Sequence, residues 1–238
     1  ESFVPQESMT PRERWMAVLS RRQPDRVPMD IWLTPEARDA LCAHLGCDFD
    51  TALERLHIDT PLTAAGRYVG PVPPEGQDIW GLVRRRVDYG TGVYDEVVNA
   101  PLARFTSVDQ IEAHYAWPRP DWWDYAHLPA LLRGNEHRPV RGGGSEPFLL
   151  YKQLRGEAQA FLDLLMYPDI VHYCLDKLFE LAYQDTLRIF ETIPGTVMIT
   201  YVAEDLGGQT GLLMARELMQ EFLFPPMKRM MDLTRQHG

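Results

Sequence analysis

The sequence predicts an α/β fold. Strand-type and helix-type segments alternate along the chain, and no internal repeat interrupts them. Residues 196–202 form a continuous β-branched and apolar run, the pattern of a strand buried on both faces of a parallel sheet. With 238 residues, 45% of them hydrophobic, the chain can bury one substantial core, so a single domain over 1–238 is expected. A closed barrel and a doubly wound sheet both satisfy this order.

Met9-Thr10-Pro11-Arg12-Glu13 starts the first helix, with Thr10 as N-cap, Pro11 at the first helical position and Glu13 closing a capping box. Trp15, Val18 and Leu19 extend one face until Pro24. Residues 25–32 are an apolar strand candidate. A helix from Pro35 to about Leu45, carrying Ala37 and Leu41, completes a first strand-helix unit. Between Ile58 and Phe105 the pattern becomes short β-type runs broken by Gly and Pro, at 78–81, 83–89 and 93–98. The last two flank the turn Tyr89-Gly90-Thr91-Gly92 and predict an inserted hairpin able to cover one mouth of the fold.

Ser107 opens a short helix, and Trp117, Trp122 and Trp123 are expected to staple an irregular connection to the core. A strand from His137 runs into the glycine-rich loop Gly142-Gly143-Gly144-Ser145. A helical pattern follows Glu146-Pro147 through Leu154. A long helix after Pro168 places Ile170, Cys174, Leu178, Leu181 and Ile189 at helical spacing and ends at Pro194-Gly195. Beyond the 196–202 strand, Ala215-Arg216-Glu217 opens a last helix that continues to His237.

Composition removes several classes of function. A net charge of -10 argues against a phosphate-backbone partner, which needs a concentrated basic face. The one dense basic run, Arg84-Arg85-Arg86, reads as a solvated hairpin edge, or alternatively as a clamp for a carboxylated substrate. Cys42, Cys47 and Cys174 are too scattered for a disulfide framework and fit a reducing compartment. With no apolar run of membrane-spanning length and no signal-peptide pattern, a soluble cytoplasmic protein is expected. The seven histidines show no zinc-like spacing, and no protease, esterase, dinucleotide or P-loop motif is present.

In α/β folds chemistry gathers just past the carboxyl ends of parallel strands, which singles out two places. Glu204-Asp205-Leu206-Gly207-Gly208-Gln209 follows the buried strand with two carboxylates, a flexible Gly pair and an amide. Glu204 and Asp205 are the candidate catalytic pair, as acid, base or cation ligand; Asp205 as a helix cap or turn former is the alternative. Gln209 and Tyr201 are substrate-binding candidates on the same stretch. The second place is Gly142-Gly143-Gly144-Ser145-Glu146-Pro147, where bare backbone N–H groups can approach an anion and Glu146 supplies an ionisable group.

Met9-Thr10-Pro11-Arg12-Glu13-Arg14 with Pro24-Asp25-Arg26-Val27-Pro28 resembles the N-terminus of uroporphyrinogen-decarboxylase-like proteins. Asp205-Leu206-Gly207-Gly208-Gln209, Pro225-Pro226-Met227-Lys228-Arg229-Met230 and His237-Gly238 resemble the same superfamily's pattern of acidic strand end, helix, Pro-x-x-Lys-Arg and His-Gly. The resemblance implies an (β/α)8 TIM barrel, of which this chain would be the N-terminal part. The decarboxylase's Arg-Gln-Ala-Gly-Arg segment is replaced by Trp32-Leu33-Thr34-Pro35-Glu36-Ala37-Arg38, which removes the cationic partners a carboxylated tetrapyrrole needs.

The superfamily's other branch resembles corrinoid- or cobalamin-linked methyltransferases, in which zinc held by His and Cys activates a thiol acceptor, or the mouth receives a methylated corrinoid protein. The resemblance therefore implies a methyltransferase, with zinc and a corrinoid as cofactors and a corrinoid protein as partner. The metal-binding His-x-Cys would follow His237-Gly238, and the natural product is expected to continue there. Arg67 and Tyr68, in Ala65-Gly66-Arg67-Tyr68, join Glu146 as mouth residues. The rival readings are a lyase acting on a carboxylated compound, for which Arg67 or Arg141 would be essential, and a non-catalytic corrinoid- or tetrapyrrole-binding protein. A homodimer is expected from the Met and aromatic content.

Overall fold

The computed structural model describes residues 7–90 and 92–237; the opening stretch 1–6, Thr91 of the turn expected from the sequence, and Gly238 lie outside the described residues. Helix α1 (Pro11–Leu19) begins with the capping box its sequence encodes. Thr10 Oγ1 accepts from the Glu13 N–H at 3.2 Å, and the Thr10 N–H donates to Glu13 Oε2 at 2.8 Å.

Residues 25–32, expected as a strand, are not one. Their polar groups find side-chain partners instead of a neighbouring strand. Arg14 of α1 is fully buried and donates to Asp25 at 2.6 Å and Asp59 at 2.5 Å, while Arg26 donates to Asp59 at 2.6 Å. The Asp59 carboxylate also accepts the Met29 N–H at 3.0 Å, and the Asp59 N–H donates to the Met29 carbonyl at 2.7 Å. Pro28 offers no donor for a ladder.

Helices α2 (Pro35–Leu45) and α3 (Phe49–Arg55) follow, capped by Thr34 and Asp48. Strands β1 (Leu62–Ala64) and β2 (Arg67–Tyr68) lead into the inserted hairpin, β3 (Arg84–Asp88) and β4 (Val93–Val97). The run 78–81 is a turn rather than a strand, closed by the Gly81 N–H on the Asp78 carbonyl at 2.9 Å. Register opposes Arg85 to Glu96 and Arg86 to Asp95, and Arg85 pairs with Glu96 at 2.5 Å, so the basic run is a solvated strand with anionic cross-strand neighbours.

Helix α4 (Val108–His114) and a single tight turn at Pro120–Trp122 precede β5 (Trp123–Asp124), which pairs antiparallel with β2. Then come α5 (Leu128–Leu132), β6 (Val140–Ser145), α6 (Pro147–Arg155), α7 (Glu157–Met166), the 25-residue α8 (Pro168–Thr192), β7 (Ile199–Val202), α9 (Arg216–Phe222) and α10 (Phe224–His237). The last predicted helix is thus two. Pro225 and Pro226 cannot donate within a continuing helix but suit the first turn of a new one.

Strands β1, β6 and β7 form a parallel sheet in the order β1-β6-β7. Helix α8 covers one face, where Ile189 and, just past the helix end, Ile193 pack with Ala64, Val140 and Leu128. A larger core joins α6 to α10 through Phe148, Tyr151, Cys174, Phe179, Met219 and Met230. Among the described residues the parallel sheet has three strands and does not close on itself. The structure is therefore an α/β fold with an inserted hairpin. No helix among the described residues is long and apolar enough to cross a membrane.

Candidate functional site

Because β1, β6 and β7 run parallel, their carboxyl ends open on the same side. A cavity of about 300 Å³ lies there. Ala65 and Gly66 reach it from the end of β1, and Ser145 and Glu146 from the end of β6. Helix α8 contributes Leu178, Leu181, Ala182 and Asp185, one face at helical spacing. Trp80, Trp123, Tyr125 and Leu150 complete apolar walls. Gly66 is required here, since a Cβ at that position would stand 2.8 Å from the Tyr125 ring.

The polar groups of this cavity are few. Tyr125 donates its hydroxyl to Asp185 Oδ1 at 2.6 Å. Burial pushes the Asp185 carboxyl above its ordinary value, against the opposing influence of Tyr125 and Arg188. Burial likewise raises the Tyr125 phenol. The Ser145 hydroxyl oxygen is buried with no hydrogen-bond partner among the described residues. Glu146 and Asp185 also border a second cavity of about 580 Å³ on the open face of the sheet, with Trp32, Thr63, Arg141 and Tyr201. There Arg141 donates to Thr63 at 3.0 Å and its guanidinium lies 5.6 Å from the Trp32 ring centre.

The glycine run, expected as a loop, is part of β6. It makes a bulge: the step from Arg141 to Gly144 on β6 opposes the shorter step from Ile199 to Tyr201 on β7. Gly143 and Gly144 adopt φ of +68° and +116°. The Gly144 N–H donates to Thr186 of α8 at 3.0 Å, so the N–H is used within the fold. The bulge aims Ser145 and Glu146 at the cavity.

The sequence-predicted residues fall in different places. Glu146 lines both cavities and Tyr201 lines the second. Arg67 is on the surface, paired with Asp124 at 2.9 Å, and the Tyr68 hydroxyl donates to the Pro71 carbonyl at 2.6 Å while its ring packs edge-on against Trp123. Gln209 lies on a turn closed by the Gly208 N–H on Gly211 and the Leu213 N–H on Leu206, Asp205 immediately precedes it, and neither residue lines either cavity. Glu204 accepts the N–H groups of Phe148 at 2.7 Å and Leu149 at 3.3 Å, capping α6 from the end of β7.

Burial pushes the Glu204 carboxyl up to about 7 despite those two N–H groups, and Glu146 adds repulsion. A carboxyl raised above its unfolded value near 4.5 stabilises the fold most when protonated. That stability is in place below the unfolded value, declines as pH rises through the folded one, and is constant above it. Urea midpoints of the wild type should therefore fall relative to Glu204→Gln between about pH 4.5 and 7. A flat difference over that interval would refute the elevated carboxyl.

Sequence reasoning missed Asp185, Tyr125 and Trp80, and it singled out the segment containing Ser145 without giving that side chain a role. A signal for Asp185 was present: it occupies the position between Leu181 and Ile189 in the apolar stripe of α8, where a carboxylate is out of pattern. The cavity's own donors are oxygens of Ser145, Glu146, Tyr125 and Asp185, without His or Cys, so they do not by themselves supply the His-Cys set that the resemblance implies. Among the described residues no group of three or more His, Cys, Asp or Glu side chains is placed to hold a metal ion.

No protein-family model matches the sequence, and no curated protein does either. Among solved structures the chain is similar to a methyltransferase from Methanosarcina mazei, with a TM-score of 0.58 and 15% identity over 94% of this chain and 67% of that chain. A likeness at this identity concerns the fold.

Proposed function

We propose that the chain is a methyltransferase of the uroporphyrinogen-decarboxylase-like barrel type, in which the cavity at the strand ends holds the small-molecule reactant. The observation that carries this reading is the pairing of Glu146 and Asp185 with apolar, aromatic walls and no lining Lys, Arg or His among the described residues. Transfer of a methyl group to a neutral sulfur or nitrogen places positive charge on that atom. Two carboxylates set among apolar walls stabilise that charge as it develops. With a thiol acceptor, the S–H proton passes to a carboxylate as the new C–S bond forms and the carrier–methyl bond breaks.

A corrin macrocycle exceeds a cavity of about 300 Å³, so a methylated corrinoid would be presented from outside the mouth by a partner protein. The acidic lining of this cavity disfavours the rival decarboxylase reading there, since a carboxylated substrate would meet like charge, with Arg67 engaged by Asp124 and Arg141 lining the second cavity instead.

The test is consumption of methylcobalamin, followed by its absorbance, with thiol or amine acceptors. Wild-type protein should accelerate it, and Glu146→Gln or Asp185→Asn should each lower the rate about a hundredfold or more. Absence of acceleration with both acceptor types would overturn the proposal.

A further inference from the structure

We infer that the cavity at the strand ends is a site for a small organic cation, an alkylated ammonium group seated against the carboxylates of Glu146 and Asp185 and the rings of Trp80, Trp123 and Tyr125. This names the ligand class for the methyltransferase reading, the alkylated ammonium being the methylated product of an amine acceptor, and rests on the same cavity being its reactant site.

Three independent features agree. The first is charge: both ionisable carboxylates line the cavity and no cationic side chain of the described residues does. The nearby Arg188 donates to the Pro120 carbonyl, and Arg141 is turned along the sheet onto Thr63 and Trp32. The second is surface chemistry. Three aromatic residues share the walls with Leu150, Leu178 and Leu181, which suits a charge clothed in methyl groups rather than a compact, strongly hydrated ion. An inorganic cation would instead need a shell of oxygen donors. The third is the buried Ser145 hydroxyl, which has no partner among the described residues and offers a hydrogen bond to a polar substituent of the ligand.

Tyr125 completes the arrangement. Its hydroxyl occupies one Asp185 oxygen, Oδ1, and leaves Oδ2 for the ligand. A neutral isostere would fill the same apolar space and gain nothing from the carboxylates. An anion would be repelled by them.

The experiment is a titration of the whole chain with tetramethylammonium, neopentyl alcohol and pivalate, monitored through the ligand methyl protons by NMR. Tetramethylammonium should bind saturably and at least about tenfold more tightly than neopentyl alcohol, with no binding of pivalate. Asp185→Asn, which keeps the Tyr125 contact, and Glu146→Gln should each erase most of that preference while melting like the wild type. Equal affinity for the cation and the alcohol, or no cation binding, would overturn the inference. The methylcobalamin assay separates the two readings: consumption with a thiol but no cation binding would leave the methyltransferase standing without this ligand class, and cation binding without consumption would do the reverse.

Discussion

Asp163→Ala should cost about 3–5 kcal/mol of folding stability, the range for stripping one partner from a buried ion pair. Asp163 is fully buried in α7 and Arg155 of α6 is 2% exposed. The carboxylate accepts from Arg155 Nε at 2.5 Å, from the Tyr151 hydroxyl at 2.8 Å and from Gln159 at 2.6 Å. Burial pushes the Asp163 carboxyl upward, but these donors prevail and hold it below the ordinary carboxylate value. Truncation would leave a guanidinium uncompensated in the core. For a domain whose total stability is about 5–15 kcal/mol, such a loss is a large fraction. Urea unfolding followed by circular dichroism measures it; a loss below about 1 kcal/mol would show that water or another carboxylate reaches Arg155.

The same guanidinium ties the inserted region to the helical core. Arg155 Nη1 donates to the carbonyls of Leu102 at 2.5 Å and Phe105 at 2.7 Å, both just beyond the hairpin. Helix α6 carries Phe148 and Leu149, whose N–H groups hold Glu204, and it starts beside Glu146. Disorder spreading from Arg155 would therefore reach the mouth of the cavity through one short helix.

Local signals in the sequence translated into structure where the interaction is itself local. The Thr10 box, the pairing of β3 with β4, the Ser107 cap and the stripe along α8 depend on neighbours close in sequence, and the structure has each of them. Residues 25–32 failed as a strand because their partners, Arg14 and Asp59, are charged side chains on other segments. The glycine run looked like a loop because the sequence does not show that β7 and Thr186 would face it. Glu204 was legible as a carboxylate at a strand end, but its engagement with an α6 terminus 55 or 56 residues away was not. The Tyr125–Asp185 bond spans 60 residues and was equally hidden.

Gly144→Ala should be the most damaging single change at the site. At φ +116° an L-residue is strained, and the added methyl would overlap the Tyr201 carbonyl oxygen on β7. Backbone cannot yield there as a flexible side chain would, because Gly144 is in register with Tyr201 and its N–H is tied to Thr186. The strands must part or the bulge must straighten. Straightening would move Ser145 and Glu146 by one residue's alternation and turn Glu146 away from the cavity. The expected result is a loss of about 3 kcal/mol or more in urea unfolding, together with loss of methylcobalamin consumption and of tetramethylammonium binding. Gly195→Ala is the control: Gly195 also has positive φ, +66°, but a methyl group there would meet no atom within 4 Å, so this variant should lose only the cost of the backbone conformation. If the two variants were equally stable and Gly144→Ala still bound the cation, the bulge would not be what directs Glu146 into the site.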